Sequence, residues 1–317
     1  MSAFTRLWRR APVWRSMIYF MVFFTIMSLF FPMPWMLSHA PWLQRIPGMQ
    51  RPGASSASSA DNQSAAPGPG APAPDAPVDN TNRLITPDIT TALTGTIPFG
   101  GHTLPLPAGI WHPVLTGQFG PGGLMLINIL VRTDRGVVTG VMIARTATEQ
   151  LPLDVVQAAT SHCHDDRNYA SHIYSDRPDG RNECAFVANA VMGPNGAISS
   201  DELIQIAFKR LSALGFPMPS LFVVANWILS SGATDATKGS SAVTYLLAPT
   251  KPGTIQLLAP LPYWDKAALT QVPAADEFIR KTDRWLARWV PLLRQSMMRD
   301  VGNMAVSPDL ARDPSAP

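Results

Sequence analysis

Residues 124–146 read LMLINILVRTDRGVVTGVMIART. Two apolar, β-branched runs, Leu124–Thr133 and Val137–Thr146, flank the turn Asp134-Arg135-Gly136. Each run is too short and too rich in Val, Ile and Thr for an amphipathic helix, and Gly136 suits a turn position with positive φ. The stretch therefore predicts an antiparallel hairpin, buried along much of both strands.

Outward from this hairpin, Thr103–Pro107 and Ile110–Thr116 read as extended, punctuated by Pro. Ala185–Met192 reads as a further strand, closed by Gly193-Pro194-Asn195-Gly196. Leu221–Leu229 and Ala242–Ala248 read as two buried strands around a polar loop, 230–241. Helical periodicity interrupts them twice. Ser199 and Glu202 have the spacing of a capping box ahead of Leu203, Ile204, Ala207, Phe208, Leu211 and Leu214, with Gly215 and Pro217 as the stop. Residues 274–299 carry a second stripe, Phe278, Trp285, Leu286, Trp289 and Leu293, with Pro291 expected to remove one backbone bond. Hairpins interleaved with helices predict an α+β domain over residues 84–305, followed by a disordered tail, 306–317. About 220 residues suffice for a core without metal or disulfide support.

The N-terminal part has a different character. Residues 16–37 contain 22 uncharged residues in a row, and about 20 span the hydrocarbon core of a bilayer. Trp8, Trp14 and Tyr19 lie toward one end of the run, Trp35 and Trp42 toward the other, the distribution of an interfacial aromatic belt. Arg6, Arg9, Arg10 and Arg15 make a basic head, 1–15, without an acid, which places that end in the cytoplasm. The reading is a single-pass transmembrane helix of the signal-anchor type, contacting the lipid bilayer through residues 16–37. The protein is then expected in a bacterial inner membrane, with the following domain periplasmic. Cleavage after Ala40 is the alternative, since Ser38-His39-Ala40 has the small-residue spacing of a cleavage site; Pro41 and the length of the apolar run argue against it. Residues 52–80 hold 22 Ala, Pro, Gly or Ser among 29 and have little to bury, so 38–83 reads as a flexible linker.

The whole chain of 317 residues carries +3, and the four head arginines leave the remainder at −1. A near-neutral domain is not the basic footprint of a nucleic-acid binder. Only 15% of residues are charged, against about 25% in average domains.

Cys163 and Cys184 are the only cysteines. In an oxidising compartment they are expected to pair as a structural disulfide around a polar stretch, 160–183. That stretch includes His162, His164, Asp166 and His172, residue types that ligate zinc. The run His162-Cys163-His164-Asp165-Asp166-Arg167 resembles the His-x-His-x-Asp-His pattern of metallo-β-lactamase-like hydrolases. That resemblance implies one metal on His162 and His164 and a second through Asp166. Two departures stand against it: Arg167 occupies the position of the last His, and no His follows His172. The favoured expectation is a polar loop with no metal and no cofactor, and an anchored hydrolase using the 162–172 cluster is the alternative.

No Gly-x-Ser-x-Gly elbow or phosphate-binding glycine loop occurs. Leu257–Trp264, LLAPLPYW, is apolar and Pro-rich; it reads either as a cover for the core or as an adhesive patch, for which the exposed residues among Leu261, Tyr263 and Trp264 are the candidates. Arg280, Lys281, Arg284 and Arg288 lie opposite the Trp stripe and read as a solvated face or a contact for anionic lipid. Together these features predict a membrane-anchored extracytoplasmic protein that binds a protein partner or supports assembly in a cell-envelope complex.

Overall fold

At the tip of the expected hairpin, Arg135 and Gly136 both take positive φ, 50° and 80°. A two-residue turn with positive φ at both positions matches the right-handed twist of the strands it joins. It connects β5 (Met125–Asp134) to β6 (Val137–Ala147). The computed structural model describes Phe20, Met21 and residues 82–317 except 121–122, 150–152, 178–181, 194–200, 231–238 and 299–305. The chain divides into two units, Met1–Pro72 and Ala73–Pro317. In the first, Phe20 and Met21 are helical and exposed. The rest of the expected transmembrane segment 16–37, the head and nearly all of the linker lie outside the described residues. No helix among the described residues is long and apolar enough to cross a membrane.

In the second unit the remaining strands are β1 (Arg83–Ile85), β2 (Thr96–Phe99), β3 (His102–Pro105), β4 (Trp111–Phe119), β7 (Ala170–Ser175), β8 (Glu183–Val191), β9 (Leu221–Ser230) and β10 (Ser240–Leu247). Eight of the ten strands form one antiparallel sheet in the order β1-β4-β5-β6-β10-β9-β8-β7. β2 and β3 make a separate hairpin. The helices are α1 (Leu153–Ser161), α2 (Glu202–Ala213), α3 (Pro273–Met298) and α4 (Pro308–Ala311). The domain is thus α+β with antiparallel pairing, as the alternation of patterns implied.

Strand alternation distributes the core over both faces of the sheet. On β9, Leu221, Val223, Ala225 and Trp227 join one cluster with Trp285, Leu286, Trp289 and Leu293 of α3. Phe222 joins the other, where it meets Phe208 of α2 edge-on at 6.1 Å. Trp285 and Trp289 stack at 5.5 Å, and Trp289 donates its Nε1–H to the buried Tyr245 hydroxyl at 2.8 Å. An indole N–H sealed in a core needs such a partner. α3 continues through Pro291, so the helix that this residue was expected to disturb spans its full expected length.

The structure corrects three local expectations. The N-cap of α2 is Asp201, whose carboxylate accepts from the N–H groups of Leu203 and Ile204. Glu202 is therefore the first helical residue rather than the far member of a capping box, and Ser199 lies outside the described residues. Asp201 also meets Arg145 Nη2 at 2.5 Å, so one carboxylate caps the helix and ties it to β6. Second, the stretch 160–183 is not all loop, since a 3-10 turn (His162–His164) and strand β7 lie within it. Third, the tail expected to be disordered over 306–317 is part of the domain: Ala108 N–H donates to Ala311 O, and Asp313 is buried against Arg132. One carboxylate with a buried cationic partner holds a segment whose apolar residues are only partly buried.

Candidate functional site

β7 ends the sheet: among the described residues no strand lies beyond it. Its inner neighbour is β8, with Ile173 opposite Cys184 and His172 opposite Ala185. Cys184 is bonded to Cys163, with a Cα–Cα distance of 6.3 Å, so the disulfide fastens the 3-10 turn before β7 to the strand beside it. Both cysteines are buried in a cluster with Ile228, against which the partly buried Phe186 and Ala242 pack.

The side chains of β7 that point to the α3 face are held by that helix. His172 Nε2 lies 2.7 Å from Asp283 Oδ1. Tyr174 stacks on His172 at 6.3 Å, and the Arg294 guanidinium lies over the Tyr174 ring at 5.3 Å. Arg294 in turn pairs with Glu183 of β8, which also accepts from Trp227 Nε1 at 3.0 Å. Burial raises the Tyr174 phenol above its ordinary pKa, with the Glu183 carboxylate adding to the effect. Asp283 and Arg294 are eleven residues apart, three helical turns, and so share one side of α3. Neither residue carries a sequence signal for this role, because their partners are more than a hundred residues away.

This geometry does not assemble the 162–172 cluster. His172 turns to α3, His164 meets Asp176 at 3.5 Å on the surface, and Asp165 is clamped by Arg167. The Arg167 guanidinium and backbone N–H hold the Asp165 carboxyl down to about 2. Asp166 is exposed and offers its backbone carbonyl to Lys266 Nζ. His162 is exposed, and its carbonyl accepts from Asn168. Among the described residues no group of three or more His, Cys, Asp or Glu could hold a metal ion. His162, His164, Asp166 and His172 therefore do not form the ligand set that the hydrolase alternative needs.

Of the two readings of Leu257–Trp264, cover for the core applies to Trp264 and exposure to Leu261. Trp264 is fully buried, donates Nε1–H to Ala259 O at 3.0 Å and meets Phe278 edge-on. Tyr263 is half-buried against the same core, and of the three only Leu261 is exposed. The 3-10 turn Leu261–Trp264 puts Trp264 inside because its indole fills space beside α3. Its carbonyl accepts from the Tyr169 hydroxyl and from Asn189 Nδ2. Lys266 Nζ bonds Asn168 O. The Pro-rich segment thus braces the start of β7 through Trp264 and Lys266, with Leu261 left on the surface. Three of the four basic residues opposite the Trp stripe of α3 are answered locally, as Arg280 pairs with Asp276 and Glu277, and Lys281 and Arg284 with Glu277.

What remains is a supported strand beside which no further strand lies among the described residues. Ile173 is 44% exposed and Tyr174 41%, in a strand without a charged residue. Such an edge can accept an extended chain by main-chain hydrogen bonding, with alternate side chains read on either face. No family model, curated protein or solved structure matches the chain.

Proposed function

We propose that this protein is a single-pass, inner-membrane-anchored domain on the periplasmic side, and that it captures an extended segment of a cell-envelope protein at the β7 edge. The observation that carries the proposal is β7 itself. Proteins commonly protect edge strands with charge, Pro or a covering element. β7 instead shows Ile173 and Tyr174 and is held from behind by a disulfide and by α3. A stiff edge loses little entropy when a partner strand pairs with it. The Cys163–Cys184 bond fits an oxidising compartment, and the arginine-flanked apolar run at 16–37 supports anchoring with the domain outside the cytoplasm. The Pro/Ala-rich stretch 52–80 serves as a tether that raises the effective concentration of any partner in the same membrane.

The test is site-specific photo-crosslinking in intact membranes, with the crosslinker at Ile173 and, as a control, at the exposed Leu214 past α2. The expected result is a discrete adduct from position 173 alone. Substituting Ser171→Lys in the same chain should abolish it while the domain stays folded, its stability lowered by no more than the loss of the Asn168–Ser171 hydrogen bond. Equal adducts at both positions, or an adduct indifferent to the added charge, would overturn the β7 assignment. A reporter active only outside the cytoplasm, fused after Pro317, is expected to be active, and a silent fusion in the membrane fraction reverses the topology.

A further inference from the structure

An interior strand, β5, holds a charge that the proposed partner edge does not use. Arg132 of β5 is fully buried, and its guanidinium makes a two-pronged pair with Asp313, Nη1 to Oδ2 at 2.5 Å and Nη2 to Oδ1 at 2.9 Å. The side chain lies between two register partners, Trp111 on β4 and Gly140 on β6. The guanidinium stacks over the Trp111 ring at 4.9 Å. A Cβ on Gly140 would come within 3.2 Å of both Arg132 Nη2 and Trp111. One on Gly109, whose φ is +110°, would come within 2.6 Å of the Arg132 stem. Both glycines are thus spaces kept for the guanidinium and its stem. The β5–β6 register shifts at Arg132/Thr133, and a bulge of this kind re-aims a side chain.

The group that fills this cradle is itself pre-shaped. Asp313 Oδ1 accepts from Ser315 N–H at 2.9 Å and from Ser315 Oγ at 2.8 Å, a turn closed by the carboxylate, and Ser315 Oγ also accepts from Arg132 Nη2 at 2.8 Å. Pro314 between them restricts the backbone. Apolar anchoring of the segment is slight: Val306, Leu310 and Ala311 are only partly buried. Its docking is therefore mostly directional and polar. Without it, Arg132 would keep the Ala108 carbonyl, the Thr139 hydroxyl and the Trp111 ring but would be a buried cation with no counter-charge, a state that a correctly shaped carboxylate relieves. A planar guanidinium bonded at two points also selects carboxylate geometry as an ammonium does not.

We propose that the Arg132 cradle is a peptide-binding site for an Asp-x-Ser segment, and that residues 306–317 are an exchangeable ligand held in cis. To test this, a protease site is placed within 299–305 of the full chain, the folded protein is cut, and it is titrated with a fluorescent peptide of residues 306–317. The labelled peptide is expected to replace the cut segment and bind saturably. The same peptide with Asp313→Asn should bind at least tenfold more weakly, and an Arg132→Lys receptor should lose affinity for the native peptide. Three results would overturn the proposal. The cut segment could fail to exchange under a large excess of peptide. Its departure could abolish the cooperative thermal transition, making it an inseparable part of the core. The Asp313→Asn peptide could bind as well as the native one.

Discussion

Arg294 donates its Nε–H to both carboxylate oxygens of Glu183, at 2.8 and 2.9 Å, and so fastens α3 to the first residue of β8. Glu183 is 7% exposed and accepts a third bond from Trp227. Glu183→Ala leaves the indole N–H unsatisfied in the core and is expected to cost about 2–3 kcal/mol in a urea titration. Glu183→Gln keeps an acceptor for Trp227 and should cost less. Equal stability of all three proteins would show that the pair contributes nothing.

The disulfide closes a loop over a sequence separation of 21. In the chain-entropy treatment this is worth about 3 kcal/mol. Cys163→Ser or Cys184→Ser should lower stability by roughly that amount and increase hydrogen exchange in β7, because Cys184 is the register partner of Ile173. Both thiols should resist alkylation in the unreduced protein, and complete labelling would refute the bond.

Trp264 and Leu261 belong to the same turn but should respond oppositely. Trp264→Ala empties a buried indole site and is expected to cost about 3–5 kcal/mol. Leu261→Ala removes an exposed side chain and should change stability by no more than about 0.5 kcal/mol. Thermal denaturation of the two variants tests the bracing role of Trp264, and a neutral Trp264→Ala would contradict it.

Burial pushes the Tyr169 phenol up to about 12 from an ordinary value of 10.0, against the opposing hydrogen bond from Asn189. A folded-state pKa above the unfolded one means that the folded chain holds this proton more tightly. The corresponding stability is complete below pH 10 and declines as pH rises from about 10 to about 12. Tyr169→Phe should flatten the alkaline stability profile in that window. Absorbance at 295 nm should show Tyr169 still protonated near pH 10.5, and a normal phenol titration there would contradict the burial argument.

Shortening residues 52–80 to a few residues should impair function in the membrane while leaving the domain folded, and a Gly/Ser replacement of equal length should restore it. The contrast follows from reach, since a chain too short to span the gap reduces effective concentration nearly to zero. Normal function with the shortened stretch would remove the tether from the proposed mechanism.

Several parts of this protein are set by local chemistry and can be read directly. The β5–β6 hairpin follows from two β-branched runs around Arg135-Gly136, and α2 and α3 follow from apolar residues at helical spacing. The pairing of Cys163 with Cys184 follows from there being just two cysteines. β7 was less legible because Ile173 and Tyr174 sit among Ser, His and Asp, and an edge strand lacks the continuous apolar run of a buried one. Tertiary structure decided the rest. It turned His172 toward Asp283 rather than His162 and His164, put Trp264 inside and Leu261 outside, and brought Asp313 to Arg132 across 181 residues. These outcomes share one physical cause. Backbone propensity acts over a few residues and leaves a periodic trace, whereas the partner of a polar or aromatic side chain depends on which strands become neighbours. That order, β1-β4-β5-β6-β10-β9-β8-β7, is fixed by burying both faces of the sheet at once, and no single segment encodes it.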